Sequence, residues 1–280
     1  MGGQHSGAYI FRPKSDIQKV YSNINKMHYA DGVTTGIIVL EGDKSLTRVY
    51  FSKTADYVRN NGALVETQLD SIPITDNVGK EVTLNIKANY NNNKTFITDS
   101  MGQKKKKRVL DYRPSWNYTV FEPTAGNYYP INAFIGFKDL NSNRTLTVIS
   151  DRSQGGTVMR QGEIEIMVHR RLLVDDGRGV GEPLNETEEG GKGLRQTVRH
   201  YLVFGNNYRN VQKVNDQRIL PTFAVSSTDK FSTVSIRKAP ISVPSNVKLY
   251  LRPFEDGSYL LRLHNFNTAS KVINILFRVQ

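Results

Sequence analysis

The sequence predicts an all-β protein made of stacked antiparallel β-sandwiches. Three observations carry that expectation. Segments rich in β-branched and aromatic residues recur along the 280 residues, and two of them alternate apolar and polar with a period of two. Gly, Asn, Asp and Pro separate the segments at short spacing, as in chains of antiparallel strands. Asn207–Gln217 is the one stretch with helical character.

In chain order, Ser6–Pro13 (SGAYIFRP) reads as a strand ended by proline. Val33–Leu40 is β-branched and apolar. Glu81–Tyr90 (EVTLNIKANY) alternates, which places Val82, Leu84, Ile86 and Ala88 on one face. Thr95–Thr98 is an outgoing strand, Asp99-Ser100-Met101-Gly102 supplies turn chemistry, and Lys104–Arg108 is the return arm of a hairpin. Lysines on an edge strand also discourage edge-to-edge pairing. The same run has a second reading as a nuclear-localisation or polyanion patch.

Leu146–Ile149 is a short apolar run. Gly162–His169 (GEIEIMVH) turns Ile164, Ile166 and Val168 inward, and Glu163, Glu165 and Met167 outward as a solvated set. Later strands are expected at Thr197–Phe204, Thr233–Arg237, Lys248–Leu251, Tyr259–His264 and Val272–Val279. Pro240–Ser245 has the composition of a linker, so residues 1–240 are expected to form one β-sandwich domain and 241–280 the start of a last strand group. Glu186–Lys192 is a polar, Gly-bearing loop, and no internal repeat is present.

Composition narrows the function classes. Lys and Arg number 38 against 26 Asp and Glu, a net charge of +12, which draws polyanions without naming a chemistry. The absence of cysteine excludes disulfides, thiolate zinc sites and a cysteine nucleophile. No apolar run has the ~18 residues of a membrane-spanning helix. The opening Met1–Ser6 lacks the apolar core of a signal peptide, although it fits the loose Met-Gly myristoylation pattern. His5, His28, His169, His200 and His264 show no metal-ligand spacing, so no metal site is expected within the chain. No Gly-x-Ser-x-Gly elbow occurs. Gly177–Gly181 is not read as a phosphate loop, because no helix follows and Asp175 and Asp176 would repel phosphate. Interleaved exposed aromatics and a second basic cluster are missing, so nucleic acid is not an expected partner.

One segment concentrates chemistry. Met167–Glu182 (MVHRRLLVDDGRGVGE) sets Arg170, Arg171 and Arg178 beside Asp175 and Asp176 around a turn containing Gly177 and Gly179. Glycine permits sharp reversal and close approach, and an arginine held by carboxylates is a rigid donor fork for hydroxyls or carboxylates. A surface ion-pair cluster on a tight turn has the same composition.

A series of motifs then occurs in order: Ser6–Pro13, Asp111-Tyr112-Arg113-Pro114-Ser115-Trp116, Gly126-Asn127-Tyr128-Tyr129-Pro130, Asp151-Arg152-Ser153-Gln154-Gly155-Gly156, and Met167–Leu173 through Asp175-Asp176-Gly177-Arg178-Gly179. This series resembles the C-terminal half of lysosomal-type α-mannosidases, glycoside hydrolase family 38. The resemblance covers about residues 6–205 and continues less closely to the end, where Leu260–His264 looks like a strand of the family's terminal β-domain.

The resemblance implies a galactose-mutarotase-like super-sandwich set against an upstream α/β catalytic domain. It implies a zinc-dependent, retaining hydrolysis of terminal α-D-mannose from N-linked oligosaccharides. The zinc ligands and the nucleophile belong to the upstream domain, so the chain by itself is expected to be catalytically incompetent. Tyr9 resembles the tyrosine that the β-region contributes to the edge of the mannose site, and Arg178 the arginine that a hairpin inserts towards it. Asp175, Asp176, Gly177, Gly179, Arg170 and Arg171 form the supporting loop. A lysosomal or secretory route is implied as well. The sequons at Asn93, Asn117, Asn143 and Asn185 are compatible with that route and with glycosylation there. The alternatives are a stand-alone carbohydrate-binding β-sandwich and, more distantly, a basic polyanion-binding protein.

Overall fold

The computed structural model describes residues 5–14, 18–53, 62–102, 104–205, 211, 214–216, 241–244, 247–265 and 276–277. The chain divides into two units, Met1–Ile219 and Leu220–Gln280.

In the first unit the strands run β1 (Ile24–Asp31), β2 (Thr35–Gly42), β3 (Ser45–Ser52), β4 (Gly62–Leu69), β5 (Lys80–Lys87), β6 (Thr95–Ser100), β7 (Lys104–Val109), β8 (Tyr129–Ile131), β9 (Phe134–Lys138), β10 (Thr145–Ser150), β11 (Gln154–Arg160), β12 (Glu163–Arg171) and β13 (Gln196–Phe204). Nine of them form one sheet in the order β1-β2-β3-β4-β13-β10-β9-β6-β7, and four form a second, β5-β12-β11-β8. The recorded pairings in both sheets are antiparallel. In the second unit, β14 (Ile241–Ser242) pairs with β17 (Leu276–Phe277), and β15 (Val247–Pro253) with β16 (Tyr259–Asn265).

The core lies between the two sheets. Phe96, Ile135, Phe137, Leu146 and Val148 from the large sheet meet Val158, Ile164 and Ile166 from the small one, with Ile131 beside them. Alternation explains the small sheet: Ile164 and Ile166 point inward as their spacing predicts, and Ile86 and Val168 pack against the same cluster. Strand β9 does not alternate, because Phe134, Ile135, Gly136 and Phe137 are all buried. Its second face carries Phe134 into another cluster with Ile149 and Val203, closed by Val211 and Val214. A strand covered on both faces reads as a continuous apolar run, which is why alternation did not mark it.

The basic run is a hairpin arm. Lys104–Val109 pairs with Thr95–Ser100 at the edge of the large sheet. Gly102 at φ 69° turns the chain and donates its N–H to Asp99 Oδ2 at 2.7 Å. Asp99 Oδ1 accepts the N–H groups of Ala133 and Phe134 at 2.9 and 3.1 Å.

Two expectations are corrected. Ser6–Pro13 is an irregular loop with no strand in it. Glu163 and Glu165 are not solvated: they are 5% and 7% exposed. The outer face of β12 is covered by Gln18 and Tyr128, which both donate to Glu165. Asn85 Nδ2 donates to Glu163 Oε1 at 2.6 Å, and Lys87 and Arg160 approach Glu163 at 3.3 Å. Burial alone would raise the Glu163 pKa, but the hydrogen bonds from Asn85 and Lys87 and the nearby cations outweigh it and hold the carboxyl below its ordinary value. The expected strand Thr233–Arg237 lies outside the described residues. Of Val272–Val279 only Leu276–Phe277 is described, and of Asn207–Gln217 only residues 211 and 214–216, which are helical.

Candidate functional site

The loop at residues 6–12 and the loop after β12 meet although they are far apart in sequence. A bulge between Met167 and His169 shifts the register of β12 against β5. Past the bulge, Arg170 pairs opposite Glu81 and Arg171 opposite Lys80, so two consecutive arginines leave the strand on opposite faces. Arg170 Nε donates to Glu81 Oε1 at 2.9 Å, and its Nη2 to the Ile10 carbonyl at 3.2 Å. Glu81 is raised by burial, with Arg170 opposing. Arg171 turns the other way: Nη1 donates to the Ile72 carbonyl at 2.9 Å and Nε to Asn185 Oδ1 at 2.7 Å.

The following loop is built from two successive Asx turns. Asp175 Oδ2 accepts the Gly177 N–H at 2.9 Å, and Asp176 Oδ1 accepts the Arg178 N–H at 3.0 Å. Gly177 and Gly179 sit at φ 70° and 104°, where a side chain would be strained. Arg178 is exposed at the tip. Asp175 Oδ1 is buried with no hydrogen-bond partner among the described residues.

Asp176 joins the two loops. Asp176 is 6% exposed, and its second carboxylate oxygen, Oδ2, accepts the Tyr9 N–H at 3.2 Å. One buried side chain thus fixes the backbone of both Tyr9 and Arg178, 169 positions apart. Gly7 is required by close approach: a Cβ there would overlap the Asp176 side chain. The N-terminal loop is pinned again by its own Gly7 N–H to Ile10 carbonyl bond at 3.1 Å. Arg12 N–H donates to Ser6 Oγ at 2.7 Å, and the Arg12 guanidinium pairs with Glu122. Phe11 packs edge-on against Tyr128, with ring centroids 4.9 Å apart.

The sequence-level site residues therefore separate into three kinds. Tyr9, 67% exposed, and Arg178 present side chains to solvent. Asp176, Asp175, Gly177, Gly179 and Arg170 hold those loops, while Arg171 anchors the far side of the strand. Glu81, Phe11, Tyr128 and Glu122 were not named from sequence as parts of the support. The motifs Ser6–Pro13 and Gly126–Pro130 contained a signal for Phe11 and Tyr128, and no motif contained one for Glu81 or Glu122. Asn93, Asn117 and Asn143 are exposed, whereas Asn185 is half-buried and engaged by Arg171. Among the described residues, no group of three or more His, Asp or Glu could hold a metal ion, so those residues do not fit zinc. No helix among them is long and apolar enough to cross a membrane.

Residues 2–178 match the glycosyl hydrolases family 38 C-terminal domain. The chain is 32% identical to a lysosomal alpha-mannosidase of Dictyostelium discoideum over 281 aligned positions, covering 94% of this chain and 27% of that protein. It is 40% identical to the human lysosomal alpha-mannosidase over 187 positions, covering 67% of this chain and 18% of that protein. It thus spans about a quarter or less of the curated relatives it matches. A solved structure of an alpha-mannosidase from Enterococcus faecalis shares the fold, with a TM-score of 0.61 and 11% identity over 88% of this chain and 30% of that one.

Proposed function

Because the chain belongs to glycosyl hydrolase family 38, as its C-terminal domain, we propose that it is the β-sandwich part of a zinc-dependent, retaining α-mannosidase that removes terminal α-D-mannose from N-linked oligosaccharides. In this reading the zinc ligands and the nucleophile lie in an upstream α/β domain outside this chain. The chain supplies rim residues, and the parent enzyme works in the lysosome or along the secretory route that leads to it.

The observation that carries the reading is the shared carboxylate. Asp176 fixes Tyr9 and Arg178 together, which is how a support holds two groups for one ligand. Each then has a chemical role. The Tyr9 phenol offers a hydroxyl and a ring face. The Arg178 guanidinium offers fixed donors to sugar hydroxyls without a proton to lose. Neither breaks the glycosidic bond, so both act by orientation.

The test is made on the longer polypeptide that carries this chain. A lost neutral hydrogen bond is worth about 0.5–1.5 kcal/mol and one from a charged group about 1.5–3 kcal/mol. Tyr9→Phe should therefore lower kcat/KM for an aryl α-mannoside by roughly 2- to 13-fold, and Arg178→Gln by roughly 10- to 150-fold. Thermal midpoints should not move. The 280-residue chain alone should show no turnover. Turnover by that chain, or full activity in both variants, refutes the reading. Mannoside binding by the chain alone, lost in both variants, would favour a stand-alone carbohydrate-binding module instead.

A further inference from the structure

Strand β7 is the last strand of the nine-stranded sheet, and no strand pairs with its outer edge among the described residues. Lys104, Lys105, Lys106 and Lys107 follow one another along it, all exposed. Pairing with β6 sets Lys104 opposite Ser100, Lys106 opposite Thr98 and Arg108 opposite Phe96. Alternation therefore puts Lys104, Lys106 and Arg108 in one row, about 7 Å from one to the next, and Lys107 on the other face. Phe96 belongs to the core between the sheets, so the row lies on the side of the small sheet.

The fold adds a cation that the run itself does not contain. The Arg108 guanidinium lies 4.3 Å from the centroid of the Tyr129 ring, and Arg113 lies 5.2 Å from the same centroid. Arg113 is also 4.6 Å from the Tyr118 centroid. The nearby carboxylates are spent elsewhere. Asp99 accepts the N–H groups of Gly102, Ala133 and Phe134, and Asp111 accepts from Asn127 at 2.7 Å. Among the described residues, Lys104, Lys106, Lys107, Arg108 and Arg113 have no ion-pair partner.

One or two edge lysines deter strand pairing, but a whole row repels itself. Like charges about 7 Å apart lie inside the screening length of ordinary salt, so an anion laid along them relieves the repulsion. We propose that the β7 edge binds a sulfated polysaccharide, whose sulfates meet Lys104 and Lys106 on one face and Lys107 across the edge. Charge complementarity selects a linear polyanion, and the surroundings select its class. Single-stranded nucleic acid binds by stacking bases on aromatic faces, and Tyr129 and Tyr118 are already covered by Arg108 and Arg113. An anionic bilayer takes up apolar side chains together with basic ones, and Lys104–Arg108 contains none. A sulfated chain needs neither, because its anionic groups accept charge-assisted hydrogen bonds along an open row. This inference does not rest on the proposed function.

The experiment is titration of heparin against the intact polypeptide that carries this chain, repeated across a series of salt concentrations. Lys104→Gln, Lys106→Gln and Lys107→Gln made together are compared with a control of equal charge, Lys19→Gln, Lys26→Gln and Lys192→Gln, at positions that are also exposed. A lysine against an anionic surface is worth about fivefold in affinity, so loss of the row should weaken heparin binding by about 100-fold. The slope of log K against log salt should flatten by about two. The control should change affinity by less than about threefold, since charges beyond the screening length contribute little. Thermal midpoints should stay at the wild-type value in both. Equal losses in the two variants overturn the proposal, because net charge alone then draws the ligand. Undiminished binding to desulfated heparin overturns it too, as does tighter binding to oligothymidylate, poly-glutamate or phosphatidylserine vesicles than to heparin.

Discussion

His200 should make this fold acid-sensitive in a defined window. It lies on β13, 0% exposed, opposite Val65 on β4 and Ser150 on β10. Its Nε2–H donates to Gln154 at 2.9 Å, and Nδ1 has no partner among the described residues. Burial lowers its pKa from 6.5 to about 4, while Asp151 and Arg152 act in opposite senses. The folded chain therefore resists a proton that the unfolded chain accepts. Stability is complete above pH 6.5, falls as pH drops through the window to 4, and stops falling below it. Linkage gives about 3 kcal/mol across the whole window, most of it between pH 7.5 and 4.5. Urea unfolding by far-UV circular dichroism at those two values should show it. His200→Gln keeps an amide near Gln154 but cannot titrate, so its stability should fall less over the same interval, by about 2–3 kcal/mol. A uniform loss of stability in the variant does not alter the outcome, because only the difference in slope is read. Parallel curves for wild type and variant would refute it, and so would an imidazole C–H resonance of His200 that titrates near 6.5.

Three further outcomes follow from the packing. Gly7→Ala should displace the N-terminal loop from Asp176; exchange of the Tyr9 amide should be faster in the variant than in the wild type, where the N–H is bonded to Asp176, and an unchanged rate contradicts the close approach. Tyr128→Phe should destabilise by about 1–3 kcal/mol, since it removes a donor from the buried Glu165; a change within about 0.5 kcal/mol in chemical denaturation is what a solvated carboxylate would give instead. Phe96→Ala should cost about 3–5 kcal/mol, because Phe96 is 1% exposed and meets Tyr129 edge-on at 5.7 Å; a loss under about 1 kcal/mol would place it outside the core.

What could be read in advance depended on whether a residue's environment is local. The hairpin of β6 and β7 was legible because its turn chemistry lies within four residues, Asp99 to Gly102. Strands β5 and β12 were legible by alternation, and so was the inward set of Ile164 and Ile166. The outward set of the same strand was misread. Glu163 and Glu165 are buried by Asn85, Tyr128 and Gln18, and no pattern within β12 reports what covers its outer face. Strand β9 was missed for a related reason: both of its faces are covered.

The motifs alone marked Tyr9, Arg178 and the two aspartates as a group, and they carried the family resemblance. They did not say that these residues touch. That was decided by the bulge in β12, which turns Arg170 toward Glu81 and the Ile10 carbonyl, and by Asp176, whose two oxygens reach two loops at once. Turn propensity and side-chain period are local quantities, and a sequence states them directly. A contact between residues 9 and 176 exists only after both sheets have closed and set the distance between the loops they carry.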